Sequence, residues 1–152
     1  MSHELKNVEM VTTFDVGDHS DIHPRDKKTV GYRLALKAED CVYHKREVFS
    51  YSPEFKHLQF LDDGNVRVFF RYAHNGLQTT DGKDPTGFAV GDRTGNIIKV
   101  RATLEKTTIL LHVPTGFVAD FVRYAYTGWC PVNVVNHVGL PLIPFRSDSL
   151  FH

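Results

Sequence analysis

The sequence predicts an α+β fold that is mostly β. A strand–loop–helix unit at residues 1–45 is expected to precede an antiparallel, β-sandwich-like domain at residues 46–152. The helix is indicated by apolar residues at helical spacing in one segment near the start of the chain. The β-domain is indicated by short apolar or alternating stretches at near-regular intervals, separated by turn-forming sequences. Short strands in such a series are typical of a β-sandwich or a small antiparallel domain.

The composition is that of a folded domain and excludes several classes of partner. Of the 152 residues, 41% are hydrophobic and 24% are charged, which suits a core-forming protein. The 18 Lys and Arg balance the 18 Asp and Glu, so bulk charge gives no attraction to nucleic acid. No apolar run approaches the roughly 20 residues that a membrane helix needs. The polar start, MSHELKNVEM, lacks a signal-peptide core, so the chain is expected to stay where it is made.

The first unit is predicted to contain one strand, one loop and one helix. VEMVTTF (8–14) mixes β-branched and apolar residues, as strands do, and a polar loop follows it. Residues 26–43 are expected to form a helix, with Asp26 favourably placed at the positive end of its dipole. Such a unit cannot bury both faces of its strand alone, so it must pack on the β-domain or on protein outside this chain. The apolar residues expected to pack are Val30, Leu34, Ala35 and Ala38, with Cys41 or Val42.

The second unit is predicted to be a series of strands. The candidate strands are VRVFFRYA (66–73), GFAVGD (87–92), IIKVRATLE (97–105), TTILLHV (107–113) and DFVRYAY (120–126). The turn signals are DDGN (62–65), TTDGKD (79–84), DRTGN (92–96) and PTG (114–116). The tail, NHVGLPLIPFRSDSLFH (136–152), carries two prolines and is expected to run extended over a surface, where Arg146 and Asp148 would anchor it as an ion pair.

The two cysteines, Cys41 and Cys130, lie far apart and match no CxxC or zinc spacing. They are interpreted as two unpaired buried thiols. A disulfide between them stays open, because pairing depends on a geometry that sequence does not give.

The loop after the first strand holds the residues that point to chemistry. In an extended DIH (21–23), the side chains of Asp21 and His23 lie on the same side and can approach one another. A carboxylate that accepts from one imidazole nitrogen fixes the tautomer and leaves the other nitrogen as a base. A solvated turn is the alternative. His19 and His23 have metal-like spacing only if helical, and Gly17 and Pro24 argue against a helix, so no metal site is predicted.

Two long blocks carry a family resemblance. DVGDHSDIHPRDKKTVGYRLAL (15–36) resembles the His-bearing block of the sialate O-acetylesterase family, within the SGNH/GDSL-like hydrolases. In that family a strand ends in an Asp-rich loop with IHP, then K, then VG-R-AL on a helix. VRYAYTGWCPVNVVNHVGLPLIPFRSD (122–148) resembles its closing segment, with VRYAW, an Asn-rich stretch, GLP and PFR-D in that order. The resemblance covers nearly the whole chain, although residues 46–86 match only in their general pattern of short apolar stretches and turns.

The resemblance implies an SGNH-type α/β hydrolase domain, of which residues 1–45 would be the C-terminal strand, His-bearing loop and helix. His23 would be the general base and Asp21 its orienting acid, with Asp18 and Asp15 in reserve. The family's Ser nucleophile and its Gly and Asn oxyanion donors lie upstream of the His block, so they are expected to be missing here. Ser20 is not favoured as nucleophile, because it belongs to the His loop and no GxSxG elbow is present.

The implied reaction is hydrolysis of an acetyl ester on a sugar, such as O-acetylated sialic acid, with no metal and no cofactor. The chain alone is expected to be inactive, and to need an N-terminal region or a partner chain that carries the Ser. Family members are often secreted, periplasmic or lysosomal, so localisation stays open.

Two alternatives compete with the esterase interpretation. One is a non-catalytic β-domain that binds glycan or protein; the other is a remnant of a larger gene whose exposed strand edge and helix face make it aggregate. The only support for glycan binding is a group of residues that would stack on a sugar, although such aromatics are more often core: Arg123, Tyr124, Tyr126 and Trp129.

Overall fold

The chain divides into two compact units, Met1–Ser52 and Pro53–His152, in a computed structural model. The structure describes residues 5, 8–21, 23 and 25–148. Whether these units have the roles predicted for residues 1–45 and 46–152 stays a prediction. No helix in the described part of the chain has the length and apolar character to cross a membrane.

The first unit contains the predicted helix, α1, at Lys27–Cys41. Asp26 is its N-cap, and its carboxylate accepts from the Thr29 backbone N–H at 2.9 Å. The buried side chains of α1 are Arg33 and Lys37. Leu34 is 51% exposed and Ala35 is exposed, so the prediction that these two pack was wrong for this chain. The helix instead turns a pair of cations, four residues apart, toward the segment that precedes it.

The strand predicted at residues 8–14 is not formed, and this prediction was wrong. Residues 8–13 have no regular structure, and Phe14–Val16 form a single 3₁₀ turn. β-branched residues favour a strand only where a neighbouring strand completes the ladder, and the described residues of the first unit include none. The carbonyl of Thr12 accepts instead from the Arg33 guanidinium at 2.8 Å.

The second unit is built from three antiparallel sheets. One sheet has the strand order β1-β2-β7-β6, another β10-β8-β4-β5, and the third pairs β3 with β9. The mostly β, α+β class predicted from the sequence is confirmed. The strands are β1 Glu54–Phe60, β2 Val66–Arg71, β3 Leu77–Thr79, β4 Phe88–Gly91, β5 Ile97–Lys99, β6 Arg101–Glu105, β7 Thr108–His112, β8 Phe121–Tyr124, β9 Val134–Asn136 and β10 Phe145–Arg146.

Strand β2 shows how the alternating pattern becomes a core. Val66, Val68 and Phe70 are buried, while the intervening Arg67 is only partly covered and Arg71 is exposed. Side chains of a strand point alternately to its two faces, so one face packs and the other meets solvent. The turn that leads into β2 follows from its sequence as well. Gly64 adopts φ of 84°, which L side chains rarely adopt, and Asp63 accepts from the Asn65 N–H at 2.9 Å.

The tail is part of the core as far as the structure describes it, to residue 148, so the prediction that it runs over a surface was wrong there; residues 149–152 lie outside the described residues. Leu140 is 3% exposed and Leu142 is 1% exposed. Phe145 stacks on Phe55 of β1 with 4.7 Å between ring centroids and lies 5.9 Å from the Tyr124 ring of β8. It therefore contacts strands of both four-stranded sheets. The prolines stop the tail from forming a long strand, but they do not keep its apolar side chains in water.

Both cysteines are free thiols, and neither is fully buried. The Cys41 thiol lies 3.8 Å from the Tyr51 hydroxyl. This contact, together with burial, raises the pKa of Tyr51 above its ordinary value. The two thiols are unpaired, as predicted, but they are half-buried rather than buried.

We expect Gly91→Ala to destabilise the β-rich unit. A Cβ at this position of β4 would lie 2.0 Å from Cζ of Phe121, its register partner on β8. The Phe121 ring must shift, and overpacking of this kind costs about 1–3 kcal/mol. Urea unfolding followed by circular dichroism measures the loss. Gly128→Ala is the matched control, since a Cβ there meets nothing within 4 Å. Equal stability of the two variants would contradict the prediction.

We expect the β-rich unit to lose stability in acid, because the ionised Asp148 carboxylate that stabilises it becomes protonated. Its carboxylate binds Arg123 (Oδ2 to Nη2, 2.7 Å) and Arg146, and Arg123 above all lowers its pKa from 3.8 to about 2. Because the pKa of Asp148 is lower in the folded than in the unfolded chain, the carboxylate contributes its full stabilisation above pH 4. This contribution is lost as pH falls toward 2. After allowance for solvent screening this is about 1–2 kcal/mol.

The measurement is urea unfolding at several pH values for the wild type and for Asp148→Asn. The difference between them should shrink as pH falls from 4 to 2. Asp120→Asn is the control, because Asp120 pairs with Arg93 on the surface and their side chains are 45% and 89% exposed. A wild-type advantage that is constant across this range would contradict the assignment.

Candidate functional site

The structure brings Asp21 and His23 together, as their spacing predicts. Nδ1 of His23 lies 3.5 Å from Oδ1 of Asp21, and the same oxygen accepts from the His23 backbone N–H at 2.8 Å. Oδ2 of Asp21 lies 4.0 Å from Nε of Arg25. The side chain of His23 is 84% exposed and that of Asp21 is 36% exposed. The pair is therefore preformed locally, and its imidazole faces outward.

Asp18, the first reserve, is engaged by a different partner. One of its carboxylate oxygens accepts from both the N–H and the hydroxyl of Ser20, each at 2.8 Å. These bonds lower the pKa of Asp18. The Ser20 hydroxyl thus donates to a carboxylate two residues away. This geometry is that of a local turn and gives Ser20 no base of its own.

Asp15, the second reserve, is bound by Arg33. Its two oxygens accept from Nη1 and Nη2 of Arg33 at 2.7 and 2.6 Å. The Arg33 side chain is 6% exposed and also donates to the Thr12 carbonyl. A bidentate pair of this kind fixes both geometry and charge. Asp15 therefore holds the start of the loop and is not available to orient His23.

A second buried cation of α1 binds the same preceding segment. Nζ of Lys37 lies 3.1 Å from Oε2 of Glu9 and 3.8 Å from the centre of the Tyr51 ring. Neither Arg33 nor Lys37 was predicted to be buried, because helical periodicity selects apolar residues for the packed face. A signal was present: two cations four residues apart follow a segment that contains Glu9 and Asp15.

The aromatic group of the β-rich unit separates into core and surface. Tyr124 is fully buried, whereas Tyr126 is 46% exposed and Trp129 is 54% exposed. Arg123 binds Asp148, and its guanidinium carbon lies 5.4 Å from the centre of the Tyr126 ring. Asp148 also binds Arg146, so the predicted ion pair of the tail is present and extends to Arg123.

Comparisons with known proteins agree with the sequence resemblance. A sialate O-acetylesterase from Rattus norvegicus is 27% identical over 156 residues, which is 95% of this chain and 29% of that protein. The crystal structure of a carbohydrate acetylesterase from Xanthomonas citri superposes with a TM-score of 0.77 at 29% identity, covering 89% of this chain and 31% of that chain. No family model matches the chain.

The resemblance to the sialate O-acetylesterase family is confirmed. The chain spans less than a third of the length of each relative. This share fits the prediction that the chain corresponds to a C-terminal portion of such a protein.

We expect Arg33→Met to loosen α1 and the segment before it. The change leaves the Asp15 carboxylate and the Thr12 carbonyl without their donor in a partly buried site, at a cost of about 2 kcal/mol. Hydrogen exchange of the α1 amides should become faster, while the β-rich unit keeps its protection. Lys45→Met is the matched control, because Lys45 pairs with Glu39 on the surface. Unchanged exchange in Arg33→Met would mean that this ion pair does not hold the segment.

Proposed function

We propose that this chain supplies the general base and its orienting acid to a carbohydrate O-acetylesterase. His23 would take the proton from a Ser hydroxyl that attacks the acetyl carbonyl, and would then pass it to the leaving sugar oxygen. Water would release acetate from the acyl-enzyme in a second step. The observation that carries the proposal is the Asp21–His23 pair, in a chain that matches acetylesterases over at least 89% of its length.

The atoms of the pair suit this role. Nδ1 of His23 is the nitrogen nearest to Asp21, at 3.5 Å. When Nδ1 carries the proton, the Asp21 carboxylate can accept a hydrogen bond from it, and Nε2 keeps its lone pair as the base. The carboxylate also stabilises the imidazolium that forms when Nε2 accepts the proton. Asp18 and Asp15 are less suited, because Ser20 and Arg33 already occupy them.

The Ser nucleophile and the oxyanion donors are proposed to come from protein outside this chain. The relatives are about three times as long as the part matched here, so they contain the length in which such groups can lie. His23 is 84% exposed, whereas a general base must lie against the substrate and largely out of water. Exposed apolar side chains of the same unit, Met10, Tyr32 and Leu34, offer a surface on which that protein would pack.

The finer architecture belongs to the same proposal. The first unit would be the terminal loop and helix of an SGNH-type hydrolase domain, and the two four-stranded sheets of the second unit would pack as a sandwich-like domain. The contacts of Phe145 with both sheets support the second part.

The test is a chimera with the relative from Xanthomonas citri. This chain replaces the matching 31% of that enzyme, and release of acetate from an acetylated sugar is measured. The chimera should be active, and His23→Ala should abolish turnover. Asp21→Asn should lower kcat by about 10²–10⁴ with little change in KM, since it disturbs the tautomer and not substrate binding.

Two variants serve as controls in that chimera. His19→Ala and Asp18→Asn leave the Asp21–His23 pair intact and should keep nearly full activity. If Asp18→Asn were the variant that lowers kcat, then Asp18 and not Asp21 orients the base. An active chimera that is indifferent to His23→Ala would overturn the proposal.

The purified chain alone supplies the second arm. It should not hydrolyse a chromogenic acetyl ester. Hydrolysis that is lost on His23→Ala would mean that a nucleophile is present within the chain, and the proposed division of the active site would be wrong. The alternative from another class, a non-catalytic β-domain that binds glycan or protein, predicts binding that survives His23→Ala.

A further inference from the structure

A pocket of about 630 Å³ lies within the β-rich unit, and this volume is typical of small-molecule sites. Its floor is Ala89 of β4. Phe88 and Val90, the neighbours of Ala89 along the strand, are buried, so Ala89 lies on the outward face of the sheet. In the strand register Ala89 pairs with Lys99 of β5 on one side and with Arg123 of β8 on the other. Its short side chain therefore leaves a depression between two long cationic side chains.

The walls of this pocket are mainly apolar. Ile97 lies two residues before Lys99 on β5, so the two side chains share the outward face, and Ile97 is 45% exposed. Val100, Ala125 and Pro131 contribute further apolar lining. Hydrocarbon that meets water in a concave site is the feature that favours an apolar ligand, because the ligand displaces that water.

Few of the lining groups can form hydrogen bonds with a neutral ligand. The hydroxyls among the described lining residues are those of Thr86, Tyr126 and Thr127. Thr86 already donates to a backbone carbonyl at 3.1 Å, and the Tyr126 ring already lies 5.4 Å from the guanidinium carbons of Arg123 and Arg146. A sugar ring carries several hydroxyls that would leave water here without replacement partners. The lining therefore disfavours a sugar.

The charges that line the pocket have one sign. Lys99 and Arg123 line it, and no described Asp or Glu does. Arg123 is already bound by the Asp148 carboxylate at 2.7 Å, so its charge is largely matched. Lys99 forms no ion pair within the part of the chain that the structure describes. The pocket therefore offers one cation, at the edge of its floor, to a ligand with one negative charge.

We propose that this pocket binds an apolar monocarboxylic acid with a hydrocarbon body of about 8–12 carbons. The carboxylate lies toward Lys99, and the body lies over Ala89 and against Ile97, Val100 and Pro131. A neutral hydrocarbon would leave Lys99 without a partner, and a small inorganic anion would leave the apolar walls in contact with water. An apolar acid satisfies both the cation and the walls.

The two cysteines of the chain provide the measurement. Cys130 lines the pocket, whereas Cys41 belongs to the other compact unit, and both are free, partly exposed thiols. The full chain is treated with iodoacetamide at increasing ligand concentration, and alkylation of each thiol is followed by mass spectrometry. A bound ligand should slow alkylation of Cys130, to half its rate at a Kd on the order of 1 mM. The rate at Cys41 should not change.

Matched ligands separate the contributions of charge and hydrocarbon. Nonanoate and 3-phenylpropanoate, an aliphatic and an aryl acid with the same number of carbons, should both protect Cys130, and their relative Kd values show which source of the acid the pocket prefers. The neutral 3-phenylpropanamide should bind about tenfold more weakly, because it lacks the charge that pairs with Lys99. Glucuronate keeps the charge but carries hydroxyls, and it should also bind at least about tenfold more weakly.

Matched variants locate the ligand. Lys99→Gln should weaken binding of 3-phenylpropanoate about tenfold, and Lys99→Arg should restore most of it. Ala89→Leu should abolish protection, because the larger side chain occupies the floor. The controls are Lys56→Gln and Thr103→Leu, at exposed positions of β1 and β6 that do not line the pocket, and both should bind like the wild type. His23→Ala should also bind normally, so this proposal and the proposed catalytic role can fail independently.

Four results would overturn the proposal. Equal slowing of Cys130 and Cys41 would mean that the acids act on alkylation without occupying the pocket. Equal binding of the acid and its amide would remove the role of Lys99, and equal binding of glucuronate would remove the role of the apolar walls. Normal protection in Ala89→Leu, with circular dichroism showing an intact fold, would place the ligand elsewhere. No protection with either acid at about ten times the expected Kd would leave the pocket without an apolar-acid ligand.

Discussion

The geometry of the His23 loop depends on one partly buried ion pair. Arg33 binds Thr12 and Asp15, which precede the loop, and Asp26 at the other end of the loop caps the same helix. Both ends are therefore fixed to α1, one through a guanidinium and the other through a cap. The loop between them needs no strand or core of its own to keep His23 near Asp21. A helix is stiffer than a loop, so a site held in this way keeps its spacing while its imidazole faces outward.

The use of a buried arginine has an energetic consequence. Apolar side chains in place of both Arg33 and Asp15 could give as much stability, because desolvation of a charge offsets most of what its partner returns. Arg33 instead specifies one position of the preceding segment relative to the helix. Its donors are satisfied only when both Asp15 and Thr12 lie against the guanidinium. The apolar side chains of the helix are then left on other faces, and Leu34 and Tyr32 lie more than half exposed. A helix that buries Arg33 and Lys37 and leaves Tyr32 and Leu34 exposed is suited to pack on further protein.

Sequence patterns predicted those parts of the fold that local physics decides. In β2 the alternation of Val66, Arg67 and Val68 fixes which face is buried, and the turn at Asp63 and Gly64 follows from side-chain bonding and a positive φ. Strands β1, β3, β9 and β10 were not predicted, and the last three have only two or three residues, which are too few to carry a period. The strand predicted at 8–14 and the surface tail failed for a related reason. Each depends on which distant segment is the partner, and propensity does not contain that information.

The same division between local and distant partners governs the candidate site. The Asp21–His23 approach could be predicted because the two residues lie only two positions apart in the chain. The Arg33–Asp15 pair joins residues 18 apart and the Arg123–Asp148 pair residues 25 apart, and in a chain with 36 charged side chains no pattern selects them. In both pairs a cation on a helix or strand holds a carboxylate on a segment without long regular structure, a single 3₁₀ turn for Asp15 and a bend for Asp148. Each irregular segment reaches its place through charge and directional hydrogen bonds. We therefore expect the geometry of these two segments to change more when one guanidinium is removed than when one similarly buried methyl group is removed.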